Sequence, residues 1–155
     1  MSTPPLPVFD KRLVVPATPD RTLTLSFEQR QRGRLRARCE DGQEVALMLE
    51  RGQVLRGGTL LGSADGEVLL VEAAPERLSE VNSDQPLDLT RAAYHLGNRH
   101  VPLEVGDGWL RYRADHVLDA MVRGLGLRVR QLDAGFEPEP GAYSAAGHGH
   151  DHGHD

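Results

Sequence analysis

Glycine-marked turns recur through the first half of this chain at intervals too short for a helix to grow between them. Asp41-Gly42, Arg51-Gly52, Gly57-Gly58 and Asp65-Gly66 punctuate it, and glycine tolerates the positive φ that tight turns demand. The stretches between them alternate. Leu23, Leu25 and Phe27 interleave with Thr22, Thr24 and Ser26, then Leu35, Ala37 and Cys39 with Arg34, Arg36 and Arg38. Val45, Leu47 and Leu49 continue the period of two beyond Asp41-Gly42, which predicts a hairpin closed by a type I′ turn. Val54-Leu55, Leu60-Leu61 and Val68 to Val71 are further short apolar runs, and no helical period is seen before about residue 84. The pattern predicts an antiparallel β domain, a small sandwich or barrel, over residues 1–74.

The rhythm changes after Ala73-Ala74-Pro75. Glu76 to Asn82 predicts a weak strand. Asp84 to Arg99 predicts a helix with Pro86 in its first turn, Leu89, Ala92, Ala93 and Leu96 on one face, and Gly97-Asn98 as its stop. Val101 to Val105 and Trp109 to Arg113 read as strands around a Gly106-Asp107-Gly108 turn. Asp115 caps a second helix with Val117, Leu118, Met121, Val122 and Leu125 on its apolar face, and Leu127 to Leu132 reads as a last strand. The order is βαββαβ, so a ferredoxin-like α+β domain is expected over residues 75–143. Periodicity is lost from Phe136, and residues 144–155 are too polar and glycine-rich to offset their ordering entropy. A disordered tail is expected there.

Composition narrows the function. At 155 residues and a net charge of −5, the chain is long enough for one domain or two small ones and is not a general nucleic-acid binder. No apolar run approaches a membrane span, and no basic, then apolar, leader opens the sequence. With one cysteine, Cys39, a disulfide framework is excluded and a cytoplasmic location is expected. Cys39, on the inward side of its strand, is expected in the core. The motifs HExxH, CxxC, GxSxG and the P-loop are absent, so no enzyme is expected.

Histidine is the informative residue. Of seven, four (His148, His150, His152 and His154) fall within the last eight positions, interleaved with glycine, Asp151 and Asp155. Imidazole suits nickel, zinc and copper. Alternation sets rings about 6.6–6.8 Å apart along an extended chain, and glycine lets the chain curl until several rings meet one ion. Such a site captures and releases rather than enforcing one metal, so zinc or copper can compete with nickel. Ligation needs neutral imidazole, so affinity is expected to fall below about pH 6.5. The other three histidines read locally in other ways. His100 follows the predicted helix stop, where a cation is stabilised by the helix dipole. His95 lies within that helix, next to Leu96. His116 stands beside the second N-cap, where a neutral, ligand-competent ring is favoured.

Arg30, Arg32, Arg34, Arg36 and Arg38 alternate and would form one basic face on a strand, the best nucleic-acid signal in the chain. Glu28, Glu40, Asp41 and Glu44 balance it, which favours an ordinary solvated face.

The run AAYHLGNRHVPLEV (Ala92 to Val105), then LRYRADHVLDAMVRGLG (Leu110 to Gly126), FEPEPGAY (Phe136 to Tyr143) and a His-rich end resembles the UreE family of urease accessory proteins. The GNRH and DHVLDAM segments are its specific part. RLRARCEDGQEVALMLERG carries a looser likeness in the first half. The resemblance implies a nickel metallochaperone of two domains, a homodimer through the second, that passes its metal to an accessory GTPase and on to apo-urease. It implies that His100, one from each protomer, is the central ligand, with His95 and His116 in accessory roles and the tail histidines supplying more. The other readings are a nickel- or zinc-buffering His-tail protein and an RNA-associated protein using the arginine strand.

Overall fold

The computed structural model describes residues 5–141. The expected tail, with His148, His150, His152 and His154, lies outside the described residues. The chain divides between Ala73 and Ala74 into two compact units.

The first unit is a six-stranded sheet in the order β2-β6-β5-β1-β4-β3. Its strands are β1 (Val8–Arg12), β2 (Arg21–Leu25), β3 (Arg34–Arg38), β4 (Glu44–Met48), β5 (Thr59–Ser63) and β6 (Val68–Ala73). The sheet is nearly closed and barrel-like. Glu40, just past one edge strand, donates its N–H to the Thr22 carbonyl on the other at 3.0 Å. The sheet is mixed rather than antiparallel, because β1 runs parallel to β4 and β2 parallel to β6. No tight turn joins β1 to β2; Leu13 to Asp20 lie between them, so the two strands separate and pair with distant partners.

The alternating apolar residues point into one core: Phe9, Leu23, Leu25, Cys39, Val45, Leu47, Leu61, Leu69 and Val71 are all buried. Burial pushes the Cys39 thiol above its ordinary value, as fits a core residue. The β3–β4 hairpin forms as predicted, but not through a type I′ turn. Its loop is Glu40-Asp41-Gly42, with φ positive at Gly42 alone. The three-residue type I loop with a left-handed glycine serves equally well, and Asp41 steadies it by accepting the Gln43 N–H at 3.0 Å.

Part of the expected strand pattern is helical instead. Phe27–Arg30 is a short helix, α1, opened by a capping box between Ser26 and Gln29. Arg30 therefore leaves the predicted arginine face and is wholly buried. Its guanidinium donates to the Leu25 and Leu55 carbonyls, both at 3.2 Å, and lies 5.7 Å from the Phe27 ring centroid. Arg32 precedes β3, so only Arg34, Arg36 and Arg38 of the five lie on that strand.

The second unit spans Ala74–Glu139 and follows the predicted βαββαβ order. Its elements are β7 (Pro75–Asn82), α2 (Pro86–Asn98), β8 (Glu104–Gly106), β9 (Trp109–Arg113), α3 (His116–Gly124) and β10 (Val129–Gly135). The sheet runs β10-β7-β9-β8 with every pair antiparallel. Ala92 and Leu96 of α2 and Leu118 and Val122 of α3 pack with Val81, Leu110 and Tyr112 of the sheet. Helices on one face of a four-stranded antiparallel sheet is the ferredoxin-like layout.

Several details differ from expectation. β7 is the longest strand, not a weak one. β8 begins only at Glu104, since Pro102 has no N–H for a ladder. Order also continues past Phe136, which is fully buried. Beyond it, Glu137 donates its N–H to Glu104 Oε1 at 2.8 Å and Glu139 to the Leu103 carbonyl at 2.8 Å.

Arg30→Ala is expected to destabilise the first domain by about 3 kcal/mol, because two buried carbonyls lose their donor and a large side chain leaves the core. Denaturant unfolding of the variant checks this; a change under about 0.5 kcal/mol would mean that the guanidinium is not holding α1 in place.

Candidate metal centre

Helix α2 places the central candidate. Pro86 occupies its first turn, where a missing N–H costs nothing, and Asp88 complements the positive end of the dipole. The helix ends at Asn98, within the expected Gly97-Asn98 stop. Both residues remain helical, Arg99 caps the helix, and the reversal falls on His100. His100 has φ +59°, the one non-glycine residue with positive φ among those described. Its N–H reaches the Gly97 carbonyl at 3.0 Å, while Arg99 N–H reaches Leu96 at 3.1 Å. This is the position where helices usually carry glycine. A β-carbon there costs on the order of 1–2 kcal/mol. The chain thus keeps an exposed imidazole at a place where backbone geometry alone would favour glycine.

The other two described histidines occupy different elements. His95 is half-buried within α2, its ring edge-on to Tyr94 with centroids 5.2 Å apart. His116 is the first residue of α3 and is exposed. The preceding Asp115 accepts the N–H groups of Val117 and Leu118 at 2.8 and 3.1 Å. The described residues contain no group of three or more His, Cys, Asp or Glu side chains able to hold an ion.

The scaffold beneath these histidines rests on two buried carboxylates that the sequence reading missed. On the helix-covered face of the sheet, Asp119 Oδ1 accepts from Ser79 Oγ and Tyr112 Oη, each at 2.7 Å. Burial and then Asp119 itself hold the Tyr112 phenol well above its ordinary value, so it remains a donor. On the opposite face, Glu80 is only 3% exposed. Arg111 contacts it at 2.6 Å and Arg130 at 2.6 Å, and Asn82 donates at 2.7 Å. Arg111 also stacks on Trp109, 4.4 Å from the ring centroid. Burial alone would raise the Glu80 carboxyl, but the bonds from Asn82, Arg111 and Arg130 outweigh it and hold the group at about 2.

Comparison with known proteins decides the family. The profile of the UreE urease accessory protein N-terminal domain matches residues 8–74, and that of its C-terminal domain matches residues 76–155. The chain belongs to the UreE family. It is 57% identical over 158 residues to the urease accessory protein UreE of Alkalilimnicola ehrlichii, covering 92% of this chain and 97% of that one. It is 58% identical over 130 residues to a UreE of Pseudomonas putida, with 83% and 79% covered. It is 49% identical over 146 residues to that of Nitrosococcus oceani, with 94% and 87% covered. As a UreE protein it is an accessory factor of urease rather than an enzyme. No helix among the described residues is long and apolar enough to cross a membrane.

Two predictions follow from this geometry. His100→Gly is expected to leave the metal-free fold intact and raise its stability by about 1 kcal/mol, because the left-handed strain is relieved. Thermal unfolding beside His100→Ala, which keeps the strain, is the check; a destabilised glycine variant would show that the imidazole holds the loop together. The second concerns Glu80. Its carboxyl is held below the ordinary 4.5, at about 2, so its contribution is fully present above pH 4.5 and is lost as pH falls toward 2. That contribution is on the order of 2 kcal/mol. Glu80→Gln is expected to be less stable at neutral pH yet flatter across the acid window, as unfolding at graded pH will show.

Proposed function

We propose that the protein is a nickel carrier for urease maturation, with His100 as its central ligand. The observation that carries this reading is the exposed imidazole held at a left-handed helix terminus, inside the GNRH segment of a UreE chain. Sparsely populated backbone kept at a cost points from strain to function.

One imidazole cannot complete the coordination of a divalent ion. A homodimer supplies a second: on a two-fold axis, each protomer's His100 meets the other's. The remaining positions are filled from the terminal segment, where His148, His150, His152 and His154 alternate. Counting from Gly141 to His154, that segment reaches about 43–47 Å when extended, which raises the effective concentration of donors at the dimer face. His95 and His116 are accessory ligands that help to load the site.

Nickel is the cargo here. Imidazole nitrogens and a few carboxylate oxygens bind it reversibly, and zinc or copper compete for the same donors. A site shared between two protomers and their terminal segments opens without any covalent step. The ion can then pass to the urease accessory GTPase and on to apo-urease.

Calorimetric nickel titration of the wild type, His100→Ala and a truncation after Tyr143, with light scattering to follow mass, tests the reading. His100→Ala is expected to abolish the tightest site, and truncation to lower stoichiometry or affinity while that site survives. Tight binding that persists in His100→Ala and disappears on truncation would make the protein a His-tailed buffer instead. Affinity is also expected to decline steadily from neutral to mildly acid pH as imidazole protonates; a flat profile would exclude histidine ligation.

A further inference from the structure

The ordered chain continues past its last strand. β10 and β8 are the two edges of the second sheet, and Gly135 closes β10 opposite Pro75. Four residues on, Glu139 donates its N–H to the Leu103 carbonyl at 2.8 Å, immediately before β8, and Glu137 donates its own to Glu104 Oε1 at 2.8 Å. The chain has crossed from one edge of the sheet to the other. Three strand spacings come to about 14–15 Å, and four residues at full extension reach about 13–14 Å, so the crossing is drawn nearly straight. Glu104 pairs with Arg111, which pairs with Glu80. All three share one sheet face, so the strap lies on the side that the helices leave open.

The sequence of this strap, Phe136-Glu137-Pro138-Glu139-Pro140-Gly141, suits such a crossing. Proline holds φ near −65° and favours an extended backbone. It also removes the N–H at 138 and 140. The donors that remain, at 137 and 139, both bond to the β8 edge. Phe136 is wholly buried and Pro138 is buried, which would be enough to cover a sheet face. The bond from Glu139 lies beyond them, on an exposed residue. What it fixes is the place from which the terminal segment departs.

That place is beside the metal candidate. Leu103 is three residues from His100, so their Cα atoms are at most about 10–11 Å apart. We propose that Leu103 and Glu104 clasp the strap as a positioning device, which roots the His-bearing terminal segment next to His100. This deepens the nickel reading above and rests on it. From Glu139, His148 is nine residues away; from Gly135 on the far edge it would be thirteen. Effective concentration falls with about the −3/2 power of linker length or more steeply, and moving the root by the width of the sheet lowers it further. Glu104 is a positioning residue here, acting on the metal only through the strap. Its charged oxygen is a stronger acceptor for the Glu137 N–H than a neutral one would be.

Two changes open the clasp at different bonds. Glu104→Ala removes the acceptor for Glu137, and Glu139→Pro removes the donor to Leu103. Glu104→Gln and Glu139→Gln keep both bonds and serve as controls. The first readout contains no metal. Spin labels on Arg99→Cys and Ala142→Cys, in a Cys39→Ala background and diluted into unlabelled protein, give the distance within one chain by pulsed EPR. In Glu104→Ala/Glu139→Pro that distance is expected to lengthen and broaden, by at most the ~14–15 Å width of the sheet, and in the controls to stay as in the wild type. The second readout is calorimetric nickel titration. The double variant is expected to bind about threefold more weakly in the full chain and to change nothing in a chain truncated after Tyr143. An unchanged distance overturns the proposal. So does an equal loss of affinity in the truncated chain, which would make the strap a structural prop of His100, and so does full affinity despite a longer distance. A wild-type chain that binds nickel no better than its truncation would instead remove the terminal segment from the nickel reading, and the proposal with it, whatever the distances show. Thermal unfolding checks that each variant folds, and Glu104→Ala alone, which alters one side chain, carries the same test if the proline variant does not.

Discussion

Glu80 is taken out of water on the sheet face that the helices do not cover, and its charge survives there because strands on both sides grip it. Arg111 reaches it from β9 and Arg130 from β10. One residue earlier on the same strand, Ser79 turns to the other face and bonds Asp119 of α3. β7 is therefore fastened to both neighbours and to a helix by directional, charge-assisted contacts. The contacts fix register more strictly than apolar packing would, because a slip of one residue would exchange the two faces and strand both carboxylates. α2 leaves from the end of this strand, and α2 sets where His100 stands.

The same contacts explain what the sequence reading recovered and what it missed. Alternation marked β2 to β4 and both long helices, because there burial on one side and exposure on the other leave a clean period. β7 looked weak because Ser79 and Glu80 are polar letters at buried positions. Periodicity records hydrophobicity, and here satisfied hydrogen bonds stand in for it. The missed helix α1 has the opposite cause. Its Ser26-x-x-Gln29 box is legible, but four residues lie below the length at which a helical period can be seen. The parallel pairings of β1 with β4 and of β2 with β6 were invisible because strand order depends on where a long connection lands, which no local pattern encodes.

The arginine run shows how far one periodicity can mislead. Five arginines at perfect alternation read as a single basic face. In the fold, a helix turn after Leu25 moves Arg30 into the core, and a hairpin partner occupies Arg38. Only the middle of the run keeps an unpaired guanidinium among the described residues. Most of the run's charge is already committed to the fold, through burial of Arg30 and the pairs Arg32–Glu28 and Arg38–Glu44.

At the metal candidate, residue identity was legible beforehand and geometry was not. The expected Gly97-Asn98 stop matches the helix end at Asn98, but the left-handed turn falls on His100 rather than on the glycine. Had Gly97 made that turn, the helix would end several residues earlier and His100 would stand on the following strand segment. With the reversal at His100, the imidazole projects from the helix end in a backbone state that leaves little freedom at its root. A fixed donor of this kind contributes one ligand at a defined place, and the rest of the sphere must come from elsewhere, since the described residues provide no second and third donor beside it. On the proposed reading that deficit is what makes a carrier. A cage complete within one chain would hold nickel against urease, whereas a sphere assembled from separate pieces can be taken apart at the point of transfer.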